Sequence, residues 1–244
     1  MNAIAIDRQD DCWTLTLDRE RSANALNAQI VDELLEAVTQ AGAQGVRVLV
    51  FCGRGRHFSA GFDFGGFEEQ SEADLLLRFV RIETLLQAIA GSSCLTVALA
   101  HGRNFGAGAD LFAACQWRIA EPGATFRMPG LAFGLVLGTR RLAALVGSER
   151  ARDLLESLAT FGAEEARAMG FARQLASQAE WPAIVQEARR VAAVLPAASR
   201  TRLYRTLTTT AAADASLADL VRSAAEPGLK ARMQAYRDES ARRG

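Results

Sequence analysis

Residues 101–118 (HGRNFGAGADLFAACQWR) constrain the fold more than any other part of the chain. They follow an apolar run at residues 94–100 that is typical of a buried strand. Gly106-Ala-Gly108 then leads into a helix-forming run with one acid, Asp110, in its first turn. Small residues at a helix start leave backbone N–H groups uncovered, and such groups attract negative charge. The pattern therefore predicts a strand, a tight turn and a helix, with a carboxylate near free N–H donors.

Two interpretations of this stretch are open. In the first, Asp110 moves a proton next to a developing oxyanion that the N–H groups stabilise. In the second, the glycines only permit close packing, and Asp110 is a favourable acid at a helix N-terminus. Taken alone, the stretch favours the second interpretation.

A second glycine-rich loop changes this balance. Residues 46–51 (VRVLVF) predict another buried strand, and residues 52–64 after it contain small residues where the backbone must approach something closely. Two backbone N–H groups from separate loops that converge on one oxygen form an oxyanion hole. The pairing of residues 59–64 with residues 104–110 therefore favours the catalytic interpretation.

Other kinds of site fit the residues less well. Residues 53–58 (GRGRHF) nearly match the dinucleotide-binding fingerprint, but phenylalanine stands where the third glycine belongs. His57 and His101 are the only histidines, and neither has the paired ligands that zinc requires, so no metal site is expected. A triad of Ser59, His57 and Asp110 can be drawn, but no nucleophile elbow surrounds the serine. His57 is expected to be structural or to lie at the rim of a ligand site.

Composition argues against several classes of function. The formal net charge is zero and no basic block is present, so neither nucleic acid nor an anionic membrane is an expected partner. Lys230 is the only lysine, which excludes a catalytic Schiff base elsewhere. The four cysteines are scattered in apolar surroundings, as is typical of thiols in a reducing compartment. With no visible signal peptide and no run that spans a bilayer, we expect a cytoplasmic protein.

The order of predicted elements indicates the organisation of the chain. We predict a β-hairpin at residues 3–18, helices at residues 29–40 and 71–90, and mostly helices from residue 139 onward. Strands that alternate with helices, followed by helices alone, predict an α/β body with a helical end. We assign the core to residues 1–180 and the C-terminal helical region to residues 181–244.

These motifs together resemble the crotonase superfamily, also called the enoyl-CoA hydratase/isomerase family, over most of the chain. Residues 19–28 are similar to its first CoA-contacting segment, and residues 53–64 and 97–115 to its two oxyanion-hole motifs. Residues 126–142, in shortened form, and residues 161–171 are similar to the blocks that follow. The resemblance implies an α/β fold with a ββα spiral core and a helical C-terminal trimerisation region. It also implies a homotrimer, or a hexamer that is a dimer of trimers.

The resemblance assigns roles to eight residues. The N–H groups of Phe62 and Ala107 would hold the carbonyl oxygen of an acyl-CoA thioester substrate, and Asp110 would be the acid/base. The CoA-binding positions, which act largely through backbone, are Asn24, Leu26, Ala60, Asp63 and Phe64. No cofactor is implied beyond the coenzyme A that the substrate carries.

Gly130 is the main departure from the family pattern. Hydratases of the family use two glutamates, of which the first aligns with Asp110 and the second with Gly130. Loss of one of two cooperating acid/base groups typically costs about 10²–10⁴-fold in rate. We therefore expect an enzyme that acts through a thioester enolate with one carboxylate, with isomerisation favoured over efficient hydration. Enoyl-CoA hydration, thioester hydrolysis, decarboxylation and non-catalytic acyl-CoA binding stay open, as does the acyl chain length.

Overall fold

Strands alternate with helices through the first half of the protein, and helices alone form its end. The computed structural model describes residues 3–207 and 210–243. Its strands are β1 (Ile4–Gln9), β2 (Cys12–Leu17), β3 (Val48–Gly53), β4 (Leu95–Ala100), β5 (Arg103–Phe105), β6 (Trp117–Ala120), β7 (Thr125–Arg127), β8 (Phe161–Gly162) and β9 (Gln174–Leu175). Its helices are α1 (Ala28–Ala43), α2 (Glu72–Ala90), α3 (Ala107–Ala114), α4 (Thr139–Val146), α5 (Ser148–Glu156), α6 (Ala163–Ala168), α7 (Trp181–Val194), α8 (Ala197–Leu207), α9 (Thr210–Ala224) and α10 (Leu229–Arg243). The predicted α/β body with a helical C-terminal region is confirmed.

The larger sheet has the order β1-β2-β3-β4-β6-β9 and is parallel except for the β1–β2 hairpin. That hairpin was predicted and is confirmed, with Ile4 opposite Leu17. Every residue of β4 is buried, as expected for an inner strand of a parallel sheet that is covered on both faces. Helix α7 covers one face, and α1, α2 and α3 cover the other.

The parallel pairing of β3 with β4 positions the two glycine-rich loops. The strands are in register from Val48 opposite Leu95 to Cys52 opposite Leu99, so both end at the same edge of the sheet. The carboxyl edge of a parallel sheet is where open α/β folds bind their ligands. The loops that follow β3 and β4 therefore leave the sheet side by side.

Local capping explains where the first two long helices begin. The Asn27 side chain accepts a hydrogen bond from the Ile30 N–H and caps α1. Ser71 and Asp74 form a reciprocal capping box at the start of α2. The predicted helices at residues 29–40 and 71–90 are confirmed as α1 and α2, whose ends differ from the predicted ones by three residues or fewer.

The helical end of the chain packs against the core. Helix α7 contacts β3 and β4, and α9 contacts α2. The division at residue 181 and the role of this region in trimerisation stay predictions. None of the described helices combines the length and apolar character needed to cross a bilayer.

A cluster of four phenylalanines joins α3 to the smaller sheet β5-β7-β8. Phe112, Phe126 and Phe161 lie in α3, β7 and β8, and Phe171 follows α6. Their contacting ring centroids are 4.9 to 5.6 Å apart. Aromatic pairs at such distances stabilise a core beyond the area that they bury.

We predict that Phe126→Ala lowers the free energy of unfolding by about 3–5 kcal/mol, because it leaves a cavity among three other rings. The control is Leu77→Ala at a residue of α2 that is 59% exposed, for which the change should stay within about 0.5 kcal/mol. Urea unfolding of both variants measures the difference. Equal losses in the two variants would contradict the assigned core.

Candidate active site

The two glycine-rich loops are joined by direct backbone contact. Ser59 and Asn104 form a parallel bridge, and the Phe105 N–H donates to the Ser59 carbonyl at 3.1 Å. A Cβ built on Gly108 would collide with the Ser59 carbonyl oxygen. Glycine at position 108 therefore lets the start of α3 pack directly on the loop that follows β3.

Gly61 brings the two predicted N–H donors to the same place. Its φ of +89° lies in the region that favours glycine. A Cβ on Gly61 would collide with the Phe105 carbonyl oxygen and would lie 3.1 Å from the Ala107 nitrogen. The backbone just before Phe62 thus lies against the start of α3.

The N–H groups of Phe62 and Ala107 donate to no acceptor within the described residues. Ala107 is the first residue of α3, where a backbone N–H has no partner inside the helix. The Leu26 N–H donates to the Gly61 carbonyl at 2.6 Å, and the Asp63 N–H donates to the Leu26 carbonyl at 3.2 Å. These bonds hold the loop on both sides of Phe62 while its N–H stays available.

Phe62, Ala107 and Asp110 line one cavity of about 120 Å³. Most of the other lining residues are apolar or aromatic, and Thr139 and Tyr236 add hydroxyl groups. The lining residues are Ala60, Phe62, Phe64, Phe79, Phe105, Gly106, Ala107, Asp110, Met128, Pro129, Gly130, Leu131, Phe133, Leu135, Leu137, Thr139, Leu155 and Tyr236. The structure thus brings together the three predicted catalytic residues in one largely apolar cavity.

Asp110 is an almost completely buried acid, with 3% of its surface exposed. Burial raises the pKa of Asp110 to about 7, while the nearby Arg141 guanidinium lowers it and the Glu83 carboxylate raises it. Its Oδ1 has no hydrogen-bond partner among the described residues. A Cβ on Gly138 would collide with this oxygen, so a glycine at position 138 is required for the carboxyl group to fit.

Glu83 and Arg141 form a buried ion pair that the sequence did not reveal. Arg141 Nη2 lies 3.2 Å from Glu83 Oε1, with side-chain exposures of 16% and 1%. The Gln87 amide donates to the same carboxylate oxygen at 3.0 Å. The signal in the sequence that could have indicated this pair is Glu83 itself, an acid on the apolar face of α2 one turn after Phe79.

Gly130 lines the cavity, and Asp110 is the only carboxylate among the described lining residues. The Leu135 N–H donates to the Gly130 carbonyl at 2.9 Å. A Cβ on Gly130 would lie 2.9 Å from the Leu135 carbonyl oxygen. The tight turn at residues 130–135 therefore leaves little room for a side chain where the second acid of the family pattern would stand.

The five predicted CoA-binding residues divide into two groups. Ala60 and Phe64 line the cavity, whereas Asn24, Leu26 and Asp63 are not among its lining residues. The fully buried Asn24 side chain donates to the carbonyls of Arg54 and His57 at 2.9 and 2.8 Å, and Asp63 forms an ion pair with Arg19 at 2.6 Å. These side chains hold the loops together, while their predicted CoA contacts stay predictions.

The histidines and Ser59 do not form a nucleophilic site. The Ser59 hydroxyl is buried, donates to the Asn24 carbonyl at 2.9 Å and accepts from the Gly61 N–H at 3.2 Å. His57 Nδ1 accepts from the Arg103 N–H at 3.2 Å, and His101 Nε2 lies 2.8 Å from the Gly55 carbonyl oxygen. All three side chains therefore support loop structure.

Comparison with known proteins shows the family. Residues 7–242 match the family model described as Enoyl-CoA hydratase/isomerase. The Mycobacterium tuberculosis protein designated "Probable enoyl-CoA hydratase echA6" is 34% identical over 192 residues, which cover 78% of this chain and 77% of that protein. The chain belongs to the enoyl-CoA hydratase/isomerase family and is an enzyme of this type, with the specific reaction undetermined.

Solved structures confirm the crotonase-like fold. A Bordetella parapertussis protein with an enoyl-CoA hydratase/isomerase designation is 55% identical, with a TM-score of 0.95 and coverage of 97% of this chain and 98% of that one. An enoyl-CoA hydratase homologue from Thermobifida fusca, solved in complex with acetoacetyl-CoA, is 26% identical with a TM-score of 0.76. The match covers 91% of this chain and 93% of the homologue.

We predict that Asp110→Asn stabilises the protein at pH 8. Because the pKa of the folded carboxyl group, about 7, lies above the ordinary value of 3.8, its contribution to stability is present below about pH 4 and is lost as pH rises through 7. Asparagine removes this loss, so the variant should gain up to about 4 kcal/mol at pH 8. The gain should shrink as pH falls toward 4, as measured by urea unfolding across this range.

Asp219→Asn is the control with the opposite sign. Hydrogen bonding to Arg140 holds the pKa of Asp219 below its ordinary value, so its contribution is present at neutral pH and is lost on acidification. This variant should lose stability at pH 8. A gain at Asp110 that does not change with pH would contradict the proposed burial effect.

We predict that Gly138→Ala is more destabilising than Gly66→Ala. The two glycines have similar positive φ angles, +69° and +66°, so both variants carry the strain of a left-handed residue, about 1–2 kcal/mol. Only at position 138 does the new methyl group meet the Asp110 carboxyl, since nothing lies within 4 Å at position 66. The additional loss should be about 1–3 kcal/mol in urea unfolding, and equal losses would contradict the contact.

Proposed function

We propose that this protein is an acyl-CoA enzyme that forms a thioester enolate. The N–H groups of Phe62 and Ala107 hold the thioester oxygen, and Asp110 moves the proton at the adjacent carbon. The single observation that carries this proposal is that two free N–H groups and one buried carboxyl group line the same apolar cavity. Asp110 is the one carboxylate among the described lining residues, so it both removes and returns the proton.

The environment of the site supports this chemistry. N–H donors in a largely apolar cavity stabilise a developing oxyanion more strongly than they would in bulk water. An acid with a pKa of about 7 exchanges its proton readily near neutral pH, which is the condition for efficient general acid–base catalysis. Burial thus raises the pKa of Asp110 into the range that this role needs, as is common for carboxyl groups in apolar active sites.

We propose a short-chain acyl-CoA ester as the substrate. The acetoacetyl-CoA complex of the Thermobifida fusca homologue supports an acyl-CoA ligand, and Ala60 and Phe64 line the cavity where the CoA moiety would meet the acyl group. A cavity of about 120 Å³ fits an acyl group of roughly four to six carbon atoms, since an apolar cavity of about 150 Å³ accommodates benzene. Coenzyme A then enters with the substrate, without another cofactor.

We propose double-bond isomerisation as the first candidate reaction. Asp110 takes a proton from Cα of a 3-enoyl thioester, the electron pair delocalises onto the thioester oxygen, and the proton returns at Cγ. The double bond moves from C3–C4 to C2–C3 with no net gain or loss of atoms. The cavity supports this route because Gly130 provides no second acid for holding water. Enoyl-CoA hydration is the second candidate, which the designation of the Mycobacterium tuberculosis relative favours.

We also propose that the protein is cytoplasmic and forms a homotrimer or a dimer of trimers. Large apolar side chains of α7, of α8 and of the short connection between them are exposed, which is a feature of association surfaces. They are Val191, Val194, Leu195, Leu203 and Leu207.

Hydrogen exchange at Cα tests the proposed function. In D₂O, the wild-type protein should introduce deuterium at Cα of butyryl-CoA. It should do so faster than at Cα of decanoyl-CoA, because the cavity is small. Asp110→Asn should slow the exchange by about 10²–10⁴-fold while its Kd for butyryl-CoA, measured by calorimetry, stays similar. Asp219→Asn, at a partly exposed surface ion pair, should exchange at the wild-type rate. Absence of exchange in the wild type, or full exchange in Asp110→Asn, would contradict the proposal.

A further inference from the structure

Four polar atoms have no hydrogen-bond partner among the described residues, two of them on residues that line the cavity and two on the ion pair between α2 and α4. Glu83 Oε2, Arg141 Nη1, Asp110 Oδ1 and Thr139 Oγ1 are all buried. Buried polar groups are normally paired, so such a concentration at one place calls for an explanation. Three of the four side chains are ionisable, which points to an electrostatic role and not to a local packing defect.

Helix geometry brings these charges together. Phe79 lines the cavity, and Glu83 follows it by one turn on the same face of α2. Gly138 contacts the Asp110 carboxyl, and Arg141 lies three residues later, on the same face at the start of α4. Helix α3, which carries Asp110, packs against both α2 and α4. The ion pair between α2 and α4 therefore lies directly behind the acid of α3.

The charges in this cluster do not balance. Asp110 and Glu83 supply two carboxyl groups, and Arg141 supplies one guanidinium. The guanidinium is already paired with Glu83 at 3.2 Å, and no hydrogen bond joins it to Asp110 among the described residues. In a buried environment, one positive charge stabilises only one of two neighbouring carboxylates fully.

Within the described part of the chain, no other charged group of the cavity competes with this effect. Arg141 from α4 and Glu83 from α2 are the charged side chains that act on Asp110. Among the described lining residues, the one further titratable side chain is Tyr236 of α10. Glu83 and Arg141 themselves do not line this cavity. They therefore act on Asp110 through their charges, without contacting a ligand bound in the cavity.

We propose that Glu83 and Arg141 are positioning residues that set the protonation state of Asp110. Glu83 pairs with the guanidinium of Arg141, so Asp110 is only partly ionised at near-neutral pH, and its ionised fraction is the form that takes the Cα proton. If Glu83 loses its charge, no carboxylate beside Arg141 offsets its positive charge, and the ionised form of Asp110 becomes more favourable. The proposal deepens the proposed function and depends on it only where activity is measured.

Direct titration of Asp110 tests the pair without any substrate. The ¹³C signal of the Asp110 carboxyl group is assigned in labelled protein by its absence from Asp110→Asn and is followed across the pH range. Glu83→Gln keeps the Oε1 acceptor for Arg141 and Gln87 but removes the charge, so the titration midpoint should fall by about one pH unit or more. Glu83→Asp, which keeps the charge, should stay near the wild-type midpoint.

Two further variants serve as a second measurement and as a control. Arg141→Gln should move the midpoint in the opposite direction, upward, and provides a second arm if Glu83→Gln does not fold. Glu165→Gln removes an exposed ion pair with Arg150 that is not part of the cavity and should leave the midpoint unchanged. Unfolding curves confirm that each variant is folded at the pH of measurement.

The outcomes separate this proposal from the proposed function. A midpoint that stays at the wild-type value in folded Glu83→Gln and Arg141→Gln overturns the role of the pair, even if the wild type exchanges Cα hydrogens. A shifted midpoint supports the pair even if no ester exchanges, in which case only the proposed function fails. Where exchange occurs, its dependence on pH should shift with the NMR midpoint. A fall in rate at every pH with no such shift would show a merely structural role and overturn the proposal.

Discussion

The backbone contact between the loop after β3 and the start of α3 is the constraint on which the site depends. Adjacent parallel strands deliver both segments to one edge of the sheet, and Gly61 and Gly108 remove the side chains that would keep them apart. The contact leaves the N–H groups of Phe62 and Ala107 without protein acceptors on the wall of a cavity. Polar groups prepared in this way need little rearrangement when charge develops on a bound oxygen.

Burial of Asp110 imposes a second constraint that opposes stability. An ionised carboxylate in an apolar cavity is costly, and here Arg141 is paired with another acid, Glu83. The Asp110 carboxyl group fits only because residue 138 is a glycine, since a Cβ at that position would collide with it. Unfavourable features of this kind persist where they serve a function, and the raised pKa of Asp110 near 7 is the property that the proposed proton transfer uses.

Prediction from sequence succeeded where a local pattern carried the information. The hairpin, the capped helices α1 and α2, and the two glycine-rich loops all have short-range signals, and the structure places Phe62, Ala107 and Asp110 at one cavity. The predicted CoA contact of Asn24 stays a prediction, and the structure adds that its side chain donates to the carbonyls of Arg54 and His57. The short strands β5, β7, β8 and β9 were not predicted, because two or three residues carry too little periodicity to identify a strand.

The sequence by itself determined the class of fold and the family, because strand, turn and helix patterns and the glycine-rich motifs are local and keep their order along the chain. It also predicted, through the family resemblance, that Gly130 stands at the position of the second acid. Only the tertiary structure decided what surrounds Asp110. Glu83 and Arg141 are 58 residues apart, and their charges act on Asp110 only after α2, α3 and α4 pack together. Electrostatic effects depend on distance and burial in space, which spacing along the chain does not specify.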